Sequence, residues 1–527
     1  MQTGSVIERE FTYELIKCIM GSPEQELLFN LSVLKDSELL YERGICPQSS
    51  YIFKHALIRE VIYDSILANR KKRLHEEIAN VIEELYRSNL SGHFEVLSEH
   101  YFLSENYFKS SHYSRSAVKK AEKAASFNDA IAYAKKRVVC LERLPRTEDI
   151  ERQLIDARTT LGLDYAQMLH LTEARESIVP IIDLALRHDY KRRLCQIYTL
   201  LGSYYYFVED NYPEAFKALE QALIMAEEVT DIITSILASF WYACALGFNC
   251  EFEKSEKYFQ RAIDINVAAN NLVGVGIMKS NLAYFSYFCN GKIDLAFKTS
   301  KEGLRFAEDS GDIFSKVMAY ASHGVSCYGK GLLEESNRYL LKTLEFSERI
   351  NFAGWDSLAE SFLSLSHYEM GDFEKSKEHY EKAALTLERN RLYPSWVGWM
   401  KIGTARSKVM NGEKDLDLES LYLYSRNNKT KAAEGWIQKH IGEILLNIDD
   451  HHISEAEHWI LKAIEADQRN RMIFILGNDY ALYADLLKRK GDRSKAQEHL
   501  GKAIEILKEC GADGWVKKYE EQMAKLT

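Results

Sequence analysis

Hydrophobic and polar positions recur along most of the chain with a period near forty residues. A small residue flanked by charges is followed, four positions later, by a bulky one. The small residues are Ala130, Ala174, Ala215, Ser255, Ala296, Ser336, Ser376, Ala456 and Ala496. Successive copies lie 40 to 44 residues apart, except for one step of 80 that holds a degenerate copy near Asn411-Gly412. The bulky partners include Leu219, Phe259, Leu340, Tyr380, Ile460 and Leu500, and a second small residue follows at Ala222, Ala262, Ala383, Ala463 and Ala503. Apolar residues around these positions keep helical spacing. Gly291, Gly331, Gly371 and Gly491 precede the small residue by five positions, where glycine's left-handed backbone stops a helix. Each unit therefore reads as two helices that approach closely at small residues and fill the space between with large ones.

The first seventy residues lack this period. Phe11–Met20 reads as a short helix. Ser22-Pro23-Glu24-Gln25 predicts a helix start with Ser22 as cap and proline in the first turn, followed by Leu27, Leu28, Leu31 and Leu34 at helical spacing. Leu39–Arg43 and Ser50–Phe53 flank a turn region at Gly44–Pro47 and predict a small β-hairpin. A further helix is expected from about His55 to Ala68. Helices followed by a two-stranded hairpin look like a winged helix.

Composition agrees with long helices. Only six prolines occur in 527 residues, where average usage of about 5% would give about 26; a proline inside a helix costs about 3 kcal/mol. The hydrophobic share of 46% and charged share of 28% are those of a folded chain, not a disordered one. A net charge of −10 argues against generic nucleic-acid binding, which needs a basic surface. No apolar run is long enough to span a membrane. Glu8, Arg9 and Glu10 stand where a signal peptide would need its apolar core. Nine scattered cysteines, with no C-x-x-C pair, read as reduced thiols of a cytoplasmic protein.

From about residue 95 onward the chain resembles the tetratricopeptide-repeat family, with 480–515 and 357–390 as its clearest copies. The period exceeds the usual length of about 34; the added residues lengthen helices and links, as in 307–312 and 347–355. The resemblance implies an all-α fold: a right-handed superhelix of about nine to ten long repeats, preceded by the winged-helix-like segment. The expected organisation is 1–90 for that segment and its connecting helix, 91–513 for the superhelix, and 514–527 for a capping helix, which carries Lys517, Lys518, Glu520, Glu521 and Lys525. A second resemblance covers the N-terminal part. Phe53-Lys54-His55-Ala56-Leu57, then Glu60, Tyr63, Leu67 and Arg73-Leu74-His75, is similar to the segment after the ATPase module of STAND-type signalling ATPases. Val6–Phe11 resembles the start of the same segment, although Glu8 stands where that family usually has a small residue. Many such proteins carry class III adenylyl cyclase domains in front, and others are transcription activators. The resemblance implies that any ATPase or cyclase domain lies ahead of Met1, and that this chain is the repeat arm.

The residues themselves show no catalytic arrangement. No G-x-x-x-x-G-K-[ST] loop is present to cradle phosphates. His75-Glu76-Glu77-Ile78-Ala79 starts like a zinc-protease helix, but Ala79 stands where the second histidine must be; His75 is expected to pack near Tyr63. Asp449, Asp450, His451, His452, Glu455 and His458 form the densest group of ligand-type residues. A divalent metal is one reading; a polar turn with Ser454 capping the next helix is the other, and the favoured one. The basic run Asn69–Arg73 reads as a solvated helix face. Residues 24–36, the recognition helix of a DNA-binding winged helix, carry Glu24, Glu26 and Asp36 against one lysine, Lys35, which suits a DNA groove poorly. No enzyme activity, cofactor or metal is expected of this chain.

In tetratricopeptide arrays the first helix of each unit lines the concave face. The family register implies that Tyr204, Phe207, Phe240, Asn281, Phe285, Phe288, Tyr328 and Tyr368 point inward, giving an aromatic face with few charges. Aromatic rings bury much area at low rotamer cost and are common binding anchors. The expected occupants are a protein or peptide partner or a small inducer, with an ATPase module in cis or trans. The same stripe is also what packing between repeats would produce.

Overall fold

The computed structural model describes every residue except Cys46, Ala125, Thr230, Asp231, Asn351, Phe352 and Thr527, with Ala353 described by its backbone alone. Parts of the Gly44–Pro47 turn, the 347–355 link and the end of the 514–527 cap thus lie outside the described residues. The chain folds as two compact units: residues 1–165 with 177–188, and residues 166–176 with 189–527.

The first unit starts with α1 (Gln2–Ile7), β1 (Glu10–Thr12), α2 (Tyr13–Met20), α3 (Glu24–Asp36), β2 (Leu40–Arg43) and β3 (Ser50–Phe53). The predicted hairpin is present, and β1 adds a third strand, giving the antiparallel order β1-β3-β2 with Phe11 opposite Tyr51 and Leu40 opposite Phe53. Alternation turns Tyr51 and Phe53 into the core with Phe11, and leaves Glu42 and Arg43 in solvent. The expected helix over Phe11–Met20 therefore begins two residues later, because Phe11 and Thr12 belong to the strand. Ser22 does not cap α3. Pro23 occupies the cap position with extended backbone, and Glu24 is held instead by Lys17 at 2.9 Å and the Tyr13 hydroxyl at 2.8 Å.

The helix expected over His55–Ala68 is two helices, α4 (Ala56–Asp64) and α5 (Ala68–Leu85), parted where Leu67 is extended and Ile66 turns into the core. Then come α6 (Phe94–Leu103), α7 (Tyr107–Lys123), α8 (Phe127–Glu142) and α9 (Glu148–Gln167). One hydrophobic core runs from Val6 through Phe53, Ile78 and Leu97 to Tyr113. It crosses residue 90 without a break, so the winged-helix-like segment and the first repeat helices share it.

After α10 (Leu171–Ile178) and α11 (Ile182–Arg187), the second unit is built of helical hairpins. These are α12 (Lys191–Phe207) with α13 (Tyr212–Val229), α14 (Ile232–Phe248) with α15 (Phe252–Ala268), and α16 (Leu272–Asn281), continued by a π-helical stretch Leu282–Phe288, with α17 (Ile293–Ser310). They continue as α18 (Ile313–Gly329) with α19 (Leu333–Ile350), and α20 (Ala353–Glu369) with α21 (Phe373–Asn390). The degenerate copy is α22 (Pro394–Met410) with the short α23 (Leu418–Asn427). Next are α24 (Lys431–Ile448) with α25 (Ile453–Asn470), α26 (Ile473–Arg489) with α27 (Arg493–Cys510), and α28 (Asp513–Ala524).

The repeat grammar explains this packing. Every small residue of the series, Ala130 to Ala496, is buried, as are the bulky partners from Leu219 to Leu500. A side chain on Gly202 would meet Leu219 Cγ at 2.4 Å, and one on Gly403 would meet the Tyr380 ring at 2.5 Å, so the bulky residue of the second helix seats on bare backbone of the first. Gly291, Gly331, Gly371 and Gly491 all take positive φ, as predicted, and Leu169, Asp210 and Cys250 do so at the same position in three of the units that lack the glycine. The link expected at 307–312 is shorter than its sequence suggested: α17 runs to Ser310, and Asp312 caps α18 by accepting from Ser315 N at 2.7 Å. These hairpins, stacked through small-on-large contacts, make the chain a tetratricopeptide-type repeat array.

Candidate functional site

The inward positions meet in a bore lined by aromatic rings. Phe207 packs on Tyr393 at 4.6 Å and Trp241 at 5.1 Å between ring centres; Phe285 packs on Phe248 at 4.9 Å, and Phe248 on Tyr393 at 5.9 Å. Phe288 lies against Phe362 at 5.5 Å and Phe474 at 5.7 Å; Tyr328 lies against Phe362 at 5.5 Å and Trp515 at 5.3 Å. Phe240 joins through Trp241 at 5.0 Å. The structure thus brings Phe207, Phe240, Phe285, Phe288 and Tyr328 into one network. Tyr204 stands apart, under the Arg175 guanidinium at 4.9 Å. Asn281 donates to Ile277 O at 2.8 Å within its own helix.

The face is not an open groove. Phe207, Asn281, Phe285, Phe288, Tyr328 and Tyr368 are buried, and only Tyr204 and Phe240 keep partial exposure. The reason is long-range. The later hairpins lie back upon the earlier ones, and their rings fill the bore. Along this seam Tyr393 N donates to Phe207 O at 2.6 Å and Ser395 N to Asp210 Oδ2 at 2.8 Å. Gly514 N donates to Lys330 O and Trp515 Nε1 to Tyr328 O, both at 2.9 Å. The Lys330 ammonium reaches Asp294 at 2.9 Å, Gly511 O at 2.6 Å, and Asp513. Arg471 pairs with Glu253 at 2.5 Å. Gly331 and Gly514 touch backbone to backbone, since a side chain on either would fall within 3 Å of the other. The cap α28 is therefore two-sided: Lys517, Glu520 and Glu521 face water, Lys518 pairs with Glu369, and Trp515, Val516 and Tyr519 face inward.

Sequence reading missed Phe248, Tyr284, Phe362, Tyr393, Phe474 and Trp515. Phe248, Tyr284 and Phe362 neighbour inward positions on the first helices and were within its reach. Tyr393, Phe474 and Trp515 meet partners about 185 residues away in the chain, as the Tyr206–Tyr393 and Trp515–Tyr328 contacts show, and nothing local signals this.

Tyr368 belongs to a polar cluster. Arg406 lies over its ring at 3.3 Å and pairs twice with Glu443, Nε to Oε2 at 2.7 Å and Nη2 to Oε1 at 3.1 Å; the Tyr368 hydroxyl donates to the same carboxylate at 2.8 Å. Burial alone would raise Glu443, but Arg406 brings its carboxyl below the ordinary value. Burial, then the charge of Arg406, hold His440 well below the ordinary imidazole range, so it is neutral.

The other singled-out residues are structural. His75 meets Tyr63 as expected, its Nε2 3.0 Å from the hydroxyl, but sits inside α5 and also touches His100, Nδ1 to Nδ1 at 2.7 Å. In the 449–458 turn it is Asp449 that caps, accepting from His451 N at 2.8 Å and His452 N at 3.2 Å, while α25 gets no side-chain cap from Ser454. Glu455 accepts from the Tyr422 hydroxyl at 2.7 Å. Among the described residues no group of three or more His, Cys, Asp or Glu side chains could hold a metal ion, and no helix is long and apolar enough to cross a membrane. In the basic run, Lys71 lies over the Tyr63 ring and Lys72 pairs with Glu105.

No protein-family model and no curated protein matches the chain. Solved structures do. A signal-transduction ATPase with numerous domains and a tetratricopeptide-repeat sensor, from Pyrococcus horikoshii, is 14% identical over 90% of this chain, with a TM-score of 0.48; the chain spans 64% of its length. The Rap conjugation gene regulator of plasmid pLS20, in complex with the Phr* peptide, is 17% identical over 68% of this chain and 96% of its own, with a TM-score of 0.47. Aspartyl phosphate phosphatase F from Bacillus subtilis is 13% identical over 74% of this chain and 91% of its own, with a TM-score of 0.38.

Proposed function

We propose that this chain is a non-catalytic interaction and sensing module whose aromatic bore takes up an apolar segment of a protein or peptide, or a small apolar inducer. The observation that carries this reading is the convergence of Phe207, Phe285, Phe288 and Tyr328 with Tyr393, Phe474 and Trp515 across a seam made largely of hydrogen bonds and ion pairs. Rings supply the binding area, and a polar seam can exchange its bonds for water when it opens. A ligand that prefers the open array shifts the population towards it. In this reading the chain is the regulatory arm of a STAND-type signalling ATPase acting in cis or trans. The 53–75 resemblance supports this, as does α4, which leaves Leu57 and Val61 on one exposed face. The alternative is the C-terminal part of a cyclase, ATPase or transcription regulator whose catalytic domains are absent from this chain.

The test is binding of the full chain to an array of aromatic-rich dodecapeptides. Phe285 and Tyr328 are poor probes, because alanine there would disturb the packed bore. Tyr204 and Phe240 keep partial exposure, Phe240 within the ring network and Tyr204 beside Arg175. Binding should weaken by about tenfold or more in the Tyr204→Ala/Phe240→Ala double variant, a loss of about 1.4 kcal/mol. Unchanged affinity in that variant, or no binding by the wild type, overturns the reading.

A further inference from the structure

Behind the seam lie two carboxyl groups that none of the interactions above involves. Asp467, in the last turns of α25, and Asp479, on α26, are both fully buried. No oxygen of either has a hydrogen-bond donor within reach. The Asp467 carboxyl lies flat on Gly435 of α24: a side chain there would meet its Cγ and both oxygens at 2.1 Å. The two carboxyls face each other closely enough to hydrogen-bond once one carries a proton. Two bare carboxylates cannot share such a site, because like charges in a dry environment repel and neither is solvated. With one proton between them the pair becomes donor and acceptor, and both groups are satisfied.

The surrounding charges do not remove the need for that proton. Lys439 on α24 faces the pair and favours its ionised form, whereas Glu434 on the same helix opposes it. Arg406 and Glu443 stand beyond Lys439 and largely neutralise each other. Cys250, from the α14–α15 turn, and Tyr519, from α28, face the pair as neutral groups. Cys250 follows α14, which packs on α24, and lies three residues before Glu253, the partner of Arg471.

We propose that Asp467 and Asp479 form a proton-operated lock on the α24–α26 corner, whose hold on the closed seam weakens as pH rises from the value at which a free carboxyl releases its proton to the value at which the buried pair does. Burial raises both carboxyls, Asp479 to about 6 and Asp467 well above the ordinary value. The sign follows. In the unfolded or locally opened chain an aspartate releases its proton near pH 4. In the closed form it keeps the proton to higher pH. Between those values the closed form binds more protons, so its stability is greatest at the acid end, falls as pH rises towards the folded value and is level beyond it.

The experiment is hydrogen exchange of the full-length chain, followed on peptides from 460–485 between pH 5.5 and 9 and corrected for intrinsic exchange. The opening constant of this corner should rise by up to tenfold per pH unit while the pair retains its proton, and then level off. Asp467→Asn gives Asp479 a permanent amide donor and should abolish the rise. Asp479→Asn should do the same, and serves if the first variant fails to fold. Lys439→Met should move the levelling point to higher pH, a shift that a purely structural role would not give. A wild-type corner with no pH slope in this range, or the same slope in a folded asparagine variant, overturns the proposal. If neither asparagine variant folds, the wild-type slope and the Lys439→Met shift decide, and absence of either is fatal.

Discussion

Serine stands in for alanine at Ser255 and Ser336 because its hydroxyl finds an acceptor on the facing helix: Ser255 donates to Ala243 O and Ser336 to Gly324 O, both at 2.8 Å. The small position is thus a requirement on volume, with polarity allowed when it is paired. Backbone requirements are stricter at the turns. Gly371 sits at φ +81 with no atom within 4 Å of the place a side chain would occupy. Gly371→Ala therefore tests conformation alone and should cost about 1–2 kcal/mol, the price of left-handed backbone for an L-residue, read from urea unfolding midpoints. His75 and His100 make a different demand. Burial holds them neutral in the fold, at about 4 and about 3, while an unfolded histidine takes its proton near 6.5. The unfolded state then binds more protons between these values, so the first unit should lose stability as pH falls from about 6.5 towards 4. A melting temperature that stays flat across that window, or the same slope after His100→Phe, would contradict this origin.

At the level of elements, much of the array was legible because each hairpin is specified within about forty residues. The small and bulky positions named from the sequence are the buried contacts of the hairpins, and the four turn glycines have the predicted backbone. Boundaries slipped where a local signal met a longer-range demand. Phe11 and Thr12 have helix-like neighbours but pair with Tyr51 and Ser50, and the start signal at Ser22 was displaced because Pro23 took the cap position. The aromatic stripe was legible as a run of large rings on the first helices, but its burial was not. Burial of Phe288 and Tyr328 depends on Phe474 and Trp515, and thus on how many units pass before the superhelix meets itself. The π-helical stretch Leu282–Phe288, which carries Phe285 and Phe288, has no sequence signature of its own.

For the second unit as a whole, the contribution of the seam to closure and that of the hairpins to stability can be separated. Repeat arrays draw most of their stability from neighbouring units, so removing a contact between distant units should loosen the unit without melting its helices. Trp515 is the clearest place to do so. Its ring packs on Tyr328 and Phe474, its indole N–H donates to Tyr328 O, and α27 and α28 pack on each other independently of that contact. Trp515→Ala should cost about 3–5 kcal/mol by cavity formation if the bore stays shut. If the seam is the moving part, the variant should instead keep its helical circular dichroism, gain radius of gyration in solution scattering, and bind a hydrophobic dye at the uncovered rings. Lys330→Met should act in the same direction and more weakly, because Asp294 and Asp513 are exposed enough to regain water when their partner is lost. A lower melting temperature with unchanged dimensions and no dye binding in both variants would mean that the seam is ordinary core. In that case the bore would have no route by which a partner could enter it.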